Sequence, residues 1–246
     1  MKTIQEKKVL EILETQQYAS VDDLAVSLCV STSTVRRTLE TLQQKGLVTR
    51  THGGVKINSE NNFSPSFTFR IHQNTFEKKK NALSAIKLIK NGDIIFLDGS
   101  TSAFYIAEYL KEFDNIRVIT NGIDTLSLLS KNKILAYSTG GQVSLENPSV
   151  LVGRYAEDMI CNFHADIAFF SAQAFDGKGE IYDCYEDEIF IRRAMIKNAK
   201  TKVFLCDDTK IGKTSSYHLC SLKDIDYIAS NLPLQNSIPP EKCLTL

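Results

Sequence analysis

From Phe76 onward the chain alternates short, apolar, β-rich runs with stretches of helical spacing. The runs are DIIFLDGS, IRVITNG, KILAYSTGG, ADIAFFSA, KVFLCDDT and DIDYIASN, and the intervening stretches include SAFYIAEYLKEF and EDEIFIRRAMIKNA. This pattern predicts an α/β domain built on a mainly parallel sheet with helices packed on it. No internal repeat or low-complexity tract competes with that reading.

In such sheets ligands sit outside the carboxyl ends of the strands, so the residues that close each run are the ones that matter. They are polar and glycine-rich. Asp98, Gly99, Ser100, Thr101 and Ser102 follow an apolar run and open a helix, where free amides and hydroxyls suit a phosphate at the positive helix terminus. The plain alternative for that stretch is a capped helix. Asn121 in TNG, Gly140 and Gly141 in TGG, and Lys210 in DDTK close three further runs. On one crevice they offer a phosphate the ammonium group of Lys210, and sugar hydroxyls amides and carboxylates. Taken singly, Asn-Gly and Gly-Gly are ordinary turns, and a lysine after a strand is ordinarily solvated.

The first sixty residues read differently. Ile4, Val9, Leu10, Ile12 and Leu13 form the apolar stripe of a first helix ending near TQQY. SVDDLAVSLCV predicts a second helix, capped by Ser20 in a capping-box pattern with Asp23, with Leu24, Ala25 and Leu28 on its core side. After a turn at Val30-Ser31, Val35, Leu39 and Leu42 face the first two helices and leave Arg36, Arg37 and Gln43 outward. Two helices joined by a tight turn, the second basic and polar at its start, is the arrangement of a recognition helix in a major groove, with Ser31, Thr32, Ser33 and Thr34 able to meet phosphates or base edges.

VTRTHGGVKI then predicts a hairpin wing turning at His52, Gly53 and Gly54. Between Ser31 and Ile57 the charges are Arg36, Arg37, Lys45, Arg50 and Lys56 against Glu40 alone. Singly, an arginine pair on a helix is a solvated face, and His52 a turn residue. Helix, hydroxyl run and basic hairpin together predict DNA binding.

The whole chain has 29 basic and 29 acidic side chains, which opposes diffuse nucleic-acid binding by its entire surface but permits this local basic face. Cys29, Cys161, Cys184, Cys206, Cys220 and Cys243 are scattered with no Cys-x-x-Cys pair, so no metal site or redox pair is expected, and no cofactor. MKTIQEKKVLEIL is broken by charge every few residues, and no run is long enough to span a bilayer, so a cytoplasmic protein without membrane association is expected.

VSTSTVRRTLETLQQKGLVTRTHGGVK resembles the winged helix-turn-helix of the DeoR family of bacterial sugar-metabolism regulators, with Thr38 where the family typically has Asp after the two arginines. FTFRIHQNTFEKKK is similar to the family's Phe-x-x-Arg, Glu-Lys junction. FLDGSTS, VITNG, STGG, ADIAFFSA and DDTK follow the order of the family's effector domain, which is related in fold to ribose-5-phosphate isomerase. The resemblance covers nearly the whole chain; SAQAFD, around Gln173, lacks the family's glycine, and IASN replaces a common ending in Asp.

The resemblance implies a winged helix-turn-helix over residues 1–57, a linker over 58–76 touching one domain through Phe63, Phe67 and Phe69, and an effector-binding and oligomerisation domain over 77–246. It implies a transcriptional repressor, not an enzyme. Its partners would be a double-stranded DNA operator, a phosphorylated sugar or related metabolite held by Gly99 to Ser102, Asn121, Gly140, Gly141 and Lys210, and further copies of itself in a dimer or tetramer. Two alternatives stand beside it: a sugar-phosphate isomerase using Glu186, Glu188 or Asp207, and a DNA-binding head on an assembly-only domain.

Overall fold

The computed structural model describes residues 2–16, 18–51, 54–57, 67–231 and 239–244. The chain divides into two compact units, Met1–Phe69 and Arg70–Leu246.

In the first unit, helix α1 (Lys2–Gln16) and strand β1 (Tyr18–Ser20) precede α2 (Val21–Leu28), α3 (Thr32–Gln44), β2 (Val48–Thr51) and β3 (Gly54–Ile57). Val9, Leu10 and Leu13 of α1, Leu24 and Ala25 of α2, and Val35, Leu39 and Leu42 of α3 share one buried cluster, as helical spacing requires of three amphipathic helices. The Ser20 oxygen accepts from the amide of Asp23 at 3.0 Å while its hydroxyl donates to the Asp23 carboxylate at 2.7 Å. Helix α2 stops at Cys29, which takes a left-handed conformation (φ 53°) and turns the chain toward Ser31.

Strands β2 and β3 form the expected antiparallel hairpin, and β3 also pairs with β1. Three polar-flanked residues gave no periodic signal for β1. Its pairing depends on Gly54, where a Cβ would lie 2.4 Å from the Tyr18 hydroxyl and 2.7 Å from the Ala19 carbonyl oxygen. Gly54, expected at the DNA-facing turn, is therefore a buried strand residue. His52 and Gly53 of that turn, and Phe63 of the linker, lie outside the described residues.

Helix α4 (Phe67–Arg70) ends where the second unit begins, and α5 (Thr75–Ala85) follows. Residues from Arg70 are fastened to the second unit rather than linking to it: Nζ of Lys78 donates to the Arg70 carbonyl at 2.6 Å, and the Tyr105 hydroxyl to that of Ile71 at 2.6 Å. Residues 70–76, expected in the linker, are therefore part of the second unit.

The second unit runs β4 (Ile94–Leu97), α6 (Thr101–Tyr109), β5 (Arg117–Thr120), α7 (Ile123–Lys131) and β6 (Leu135–Ser138). A hairpin of β7 (Gln142–Val143) and β8 (Leu151–Val152), then α8 (Arg154–Cys161), leads to β9 (Ala165–Phe170). After β10 (Ala174–Phe175) and β11 (Glu180–Asp183) come α9 (Glu186–Lys197), β12 (Ala199–Cys206), β13 (Tyr217–Ser221), β14 (Tyr227–Ser230) and β15 (Cys243–Leu244).

Seven strands form one parallel sheet in the order β15-β14-β12-β9-β4-β5-β6. All six apolar runs are in it, and β15 adds an edge too short to announce itself. Alternate residues face opposite layers: Ile95 and Leu97 pack with Ala82, Ala85 and Ile106 of α5 and α6, and Phe96 with Ile160 and Ile191 of α8 and α9. Successive strands leave β4 in one direction and β9 in the other, so the switch point lies between these two strands.

Candidate functional site

The first unit presents one polar face. Ser31 caps α3 by accepting from the Thr34 amide at 3.3 Å, and its hydroxyl lies 2.8 Å from that of Ser33 and 2.9 Å from that of Thr34. The opening turn is thereby pre-set with exposed oxygens at Ser31, Thr32 and Ser33. Arg36 and Arg37 are exposed opposite the buried stripe. Arg37 also lines a groove of about 200 Å³ between α1 and α3, with Glu6, Ser33, Thr34, Thr38 and Thr41. Thr38 returns its hydroxyl to the Thr34 carbonyl at 3.0 Å, so it braces its own helix and leaves both arginine heads unheld by residue 38.

Two of the expected DNA contacts are engaged inside the unit. Lys45 donates to Glu6 at 2.7 Å, and that carboxylate is largely buried, so Lys45 braces α3 against α1. Arg50 approaches Glu40 at 3.6 Å, a half-exposed surface pair that leaves its charge available.

In the second unit the carboxyl ends of β4, β9 and β12 meet at the switch point. Ser100 caps α6 by accepting from the Ala103 amide at 3.1 Å, and Ser100, Thr101 and Ser102 are all buried. Nζ of Lys210 reaches across from the end of β12: it is 2.5 Å from the Ser171 hydroxyl after β9, 3.5 Å from that of Ser102, and 3.4 Å from the Asp207 carboxylate. The sequence-predicted Ser102 and Lys210 are thus brought together. Gly99 is needed for packing, since a Cβ there would meet Val150 at 2.2 Å.

Asn121 ends β5 with its amide nitrogen donating to the Leu151 carbonyl at 3.0 Å, and its side-chain oxygen is buried without a partner. Gly141, expected to contact ligand, is instead pressed against β8: an added Cβ would lie 2.5 Å from the Val152 carbonyl oxygen, whereas Gly140 borders open space.

Asp98 has a different place from the one expected. Its carboxylate accepts from the amides of Ser100 and Ser171, both at 3.1 Å, and from Nε of Arg192 at 2.8 Å. Both of its oxygens are engaged inside the unit, where it ties the ends of β4 and β9 together. Arg192 also donates to Glu188 at 2.6 Å and approaches Asp183 at 3.1 Å without the alignment of a hydrogen bond. The second Glu188 oxygen accepts from Asn147 at 2.7 Å. Burial first, then the neighbouring Asp183, pushes the Glu188 carboxyl upward against the pull of Arg192.

The residue least visible in sequence is Lys78. It is buried on α5, and burial, reinforced by Lys210, lowers its ammonium to about 7. Burial of Asp207 acts to raise its carboxyl, but Lys210, the Thr209 hydroxyl and Lys78 together hold it below the usual range. Lys78 starts a run of three lysines that reads as solvated, yet Asn81, Ala82 and Ala85 share its buried face at helical spacing. That spacing was the available signal. Asn81 donates to the Cys206 carbonyl at 3.2 Å and keeps a buried oxygen without a partner.

The family profile described as the DeoR C terminal sensor domain matches residues 73–231, and the DeoR-like helix-turn-helix domain matches residues 6–61. The chain is 31% identical to the HTH-type transcriptional regulator GolR of Listeria innocua, over 95% of this chain and 92% of that one. It is 30% identical to the L-fucose operon activator of Haemophilus influenzae, covering 94% and 92%, and 26% identical to the glycerol-3-phosphate regulon repressor of Escherichia coli, covering 92% and 89%. Among solved structures, ribose 5-phosphate isomerase A of Methanocaldococcus jannaschii superposes with a TM-score of 0.42 at 20% identity, over 56% of this chain and 55% of that one.

Proposed function

This chain belongs to the DeoR family of transcriptional regulators, and on that premise we propose that it is a cytoplasmic repressor of a sugar-metabolism operon whose grip on its operator is set by a phosphorylated sugar in the crevice of the second unit. The first unit reads DNA through Ser31 to Thr34, Arg36, Arg37 and Arg50, with Lys45 in a supporting place. The crevice acts as a sensor and not as a catalyst: Asp207 and Glu188, the acids an isomerase would use, are engaged by Lys210 and by Arg192. Operators read by two recognition helices in successive major grooves call for a homodimer or a tetramer. A monomer in sedimentation at micromolar concentration, with operator bound, would count against that assembly.

One observation carries the ligand class. Lys78 and Lys210 lie within electrostatic reach of each other beside the hydroxyl-lined start of α6, and Asp207 is the carboxylate they share. A phosphate dianion balances such a site and takes charge-assisted hydrogen bonds from it. The test is to titrate an operator complex with a panel of sugar phosphates. Lys210→Gln and Ser102→Ala should each shift the midpoint of the active compound by about ten- to a hundredfold, as expected when one hydrogen bond to a charged group is removed. Midpoints equal to wild type in both variants would place the ligand elsewhere.

The buried ammonium adds a pH dependence. With Lys78 at about 7 in the empty crevice, a bound phosphate holds it protonated, so binding takes up a proton above that pH. Ligand phosphate is already dianionic there, its second ionisation lying at about 6. Affinity should therefore fall as pH rises from 7 to 8.5, by at most about tenfold per unit, and Lys78→Arg, charged throughout, should flatten the decline. Calorimetry in buffers of different ionisation enthalpy reads the proton directly; no net uptake at pH 8 contradicts the placement of Lys78.

A further inference from the structure

Between Ser31 and Ile57 Glu40 is the one acidic side chain among five basic ones, and α3 sets it on the face where a negative charge is least welcome. Opposite the buried Val35, Leu39 and Leu42, the exposed residues Ser33, Arg37, Glu40 and Gln44 follow one another at steps of four, three and four, the spacing of a single helical stripe. The Glu40 side chain is 61% exposed, and the Arg50 guanidinium of β2 approaches its carboxylate at 3.6 Å, outside hydrogen-bond range.

From Ser33 to Glu40 the helix rises about 10 Å, less than the width of a major groove at about 12 Å, so both residues lie within the groove whatever the tilt of α3. Gln44, about 17 Å from Ser33, leaves the groove when the helix lies across it. A carboxylate carried between walls of phosphate is repelled by them. Arg50 offsets part of that cost from the wing side, and a donor on a base edge offsets the rest. In the major groove the donors are N4 of cytosine and N6 of adenine, and adenine sets an acceptor, N7, beside its donor. A carboxylate has acceptors alone, so cytosine matches it and adenine N7 opposes it.

We propose that Glu40 is a specificity-determining residue: its carboxylate accepts from the exocyclic amine of a cytosine in each half-site and rejects base edges that present acceptors there. This rests on the reading of α3 as the helix that enters the major groove. The basic residues of the unit grip any duplex, and the lone acid takes grip away from every sequence that lacks the matching donor.

The full chain and its Glu40→Ala and Glu40→Gln variants are each used to select duplexes from a random library. The duplex selected by wild type, and its single-base-pair substitutions, are then titrated by anisotropy at fixed salt. Wild type should require a C·G pair at one position of each half-site, with about a tenfold loss of affinity for the other pairs. Glu40→Ala should lose the discrimination at that position alone and bind the substituted duplexes more tightly than wild type does. Glu40→Gln, whose amide both accepts and donates, should move the preference there to adenine. If both variants select the wild-type sequence and differ from wild type by one common factor on every duplex, Glu40 acts only as a charge and the assignment fails. The place of α3 then still stands, provided that Arg36→Ala with Arg37→Ala has lost operator affinity. If that double variant and both Glu40 variants bind as wild type does, α3 lies outside the interface and the groove reading falls with the assignment. A wild-type consensus without a required C·G pair also overturns it.

Discussion

Arg192→Met is expected to destabilise the second unit by about 3–5 kcal/mol at pH 7, because it strips the counter-charge from three buried carboxyl groups at once. Asp98, Asp183 and Glu188 all face this one guanidinium, at 2.8, 3.1 and 2.6 Å. Burial already raises Glu188 in the intact cluster, and the neighbouring Asp183 adds to it. The methionine fills similar volume, so the loss reports electrostatics more than a cavity. Glu188, already pushed upward by burial, is pushed further when the arginine is gone, so the deficit is full at neutral pH and shrinks as pH falls and it takes up a proton. Urea unfolding of the full chain, followed by amide exchange in β4 and β9, measures it. A loss below about 1 kcal/mol, or one that grows on acidification, contradicts the account. Phosphate binding should weaken as well, since Asp98 positions the amides of Ser100 and Ser171 only while Arg192 holds it.

The double variant Arg36→Ala with Arg37→Ala should lose about 2–6 kcal/mol of operator affinity, if each arginine makes a bidentate base contact of about 1–3 kcal/mol. The unit should remain folded, because Val35, Leu39 and Leu42 carry the packing of α3 and both arginines are exposed. Anisotropy titrations against a duplex selected from a random library, at two salt concentrations, separate base readout from phosphate binding. An arginine that reads a base relaxes the preference at one position when it is removed; one that holds a phosphate weakens binding to all sequences and reduces the salt slope by about one. A drop in affinity of less than about threefold at fixed salt would remove α3 from the interface.

Much of this was legible because it is written in local spacing. The apolar faces of α1, α2 and α3, the cap at Ser20, and the six apolar strands each follow from periodicity or a cap within one element, and the polar strand ends follow from where crossovers leave a parallel sheet. Ser102 and Lys210, 108 positions apart, were found that way because both stand at strand ends.

Tertiary structure decided the rest, and the physical reason is that the state of a charge depends on what packs across from it. Lys78 and Lys80 belong to one lysine run, yet only Lys78 is turned into the unit, where burial lowers its ammonium. Lys45 reads as a phosphate contact until Glu6, 39 residues away, occupies it. Asp98 reads as a ligand residue until Arg192, 94 residues away, does the same. Gly54 and Gly141 read as turn glycines, and their lack of a side chain instead admits β1 and β8, neighbours that no local pattern names. The sequence by itself determined the two units, most of their elements and the end of the sheet where the polar residues gather; the packing of elements far apart in the chain decided which of the charged groups there are engaged inside the protein.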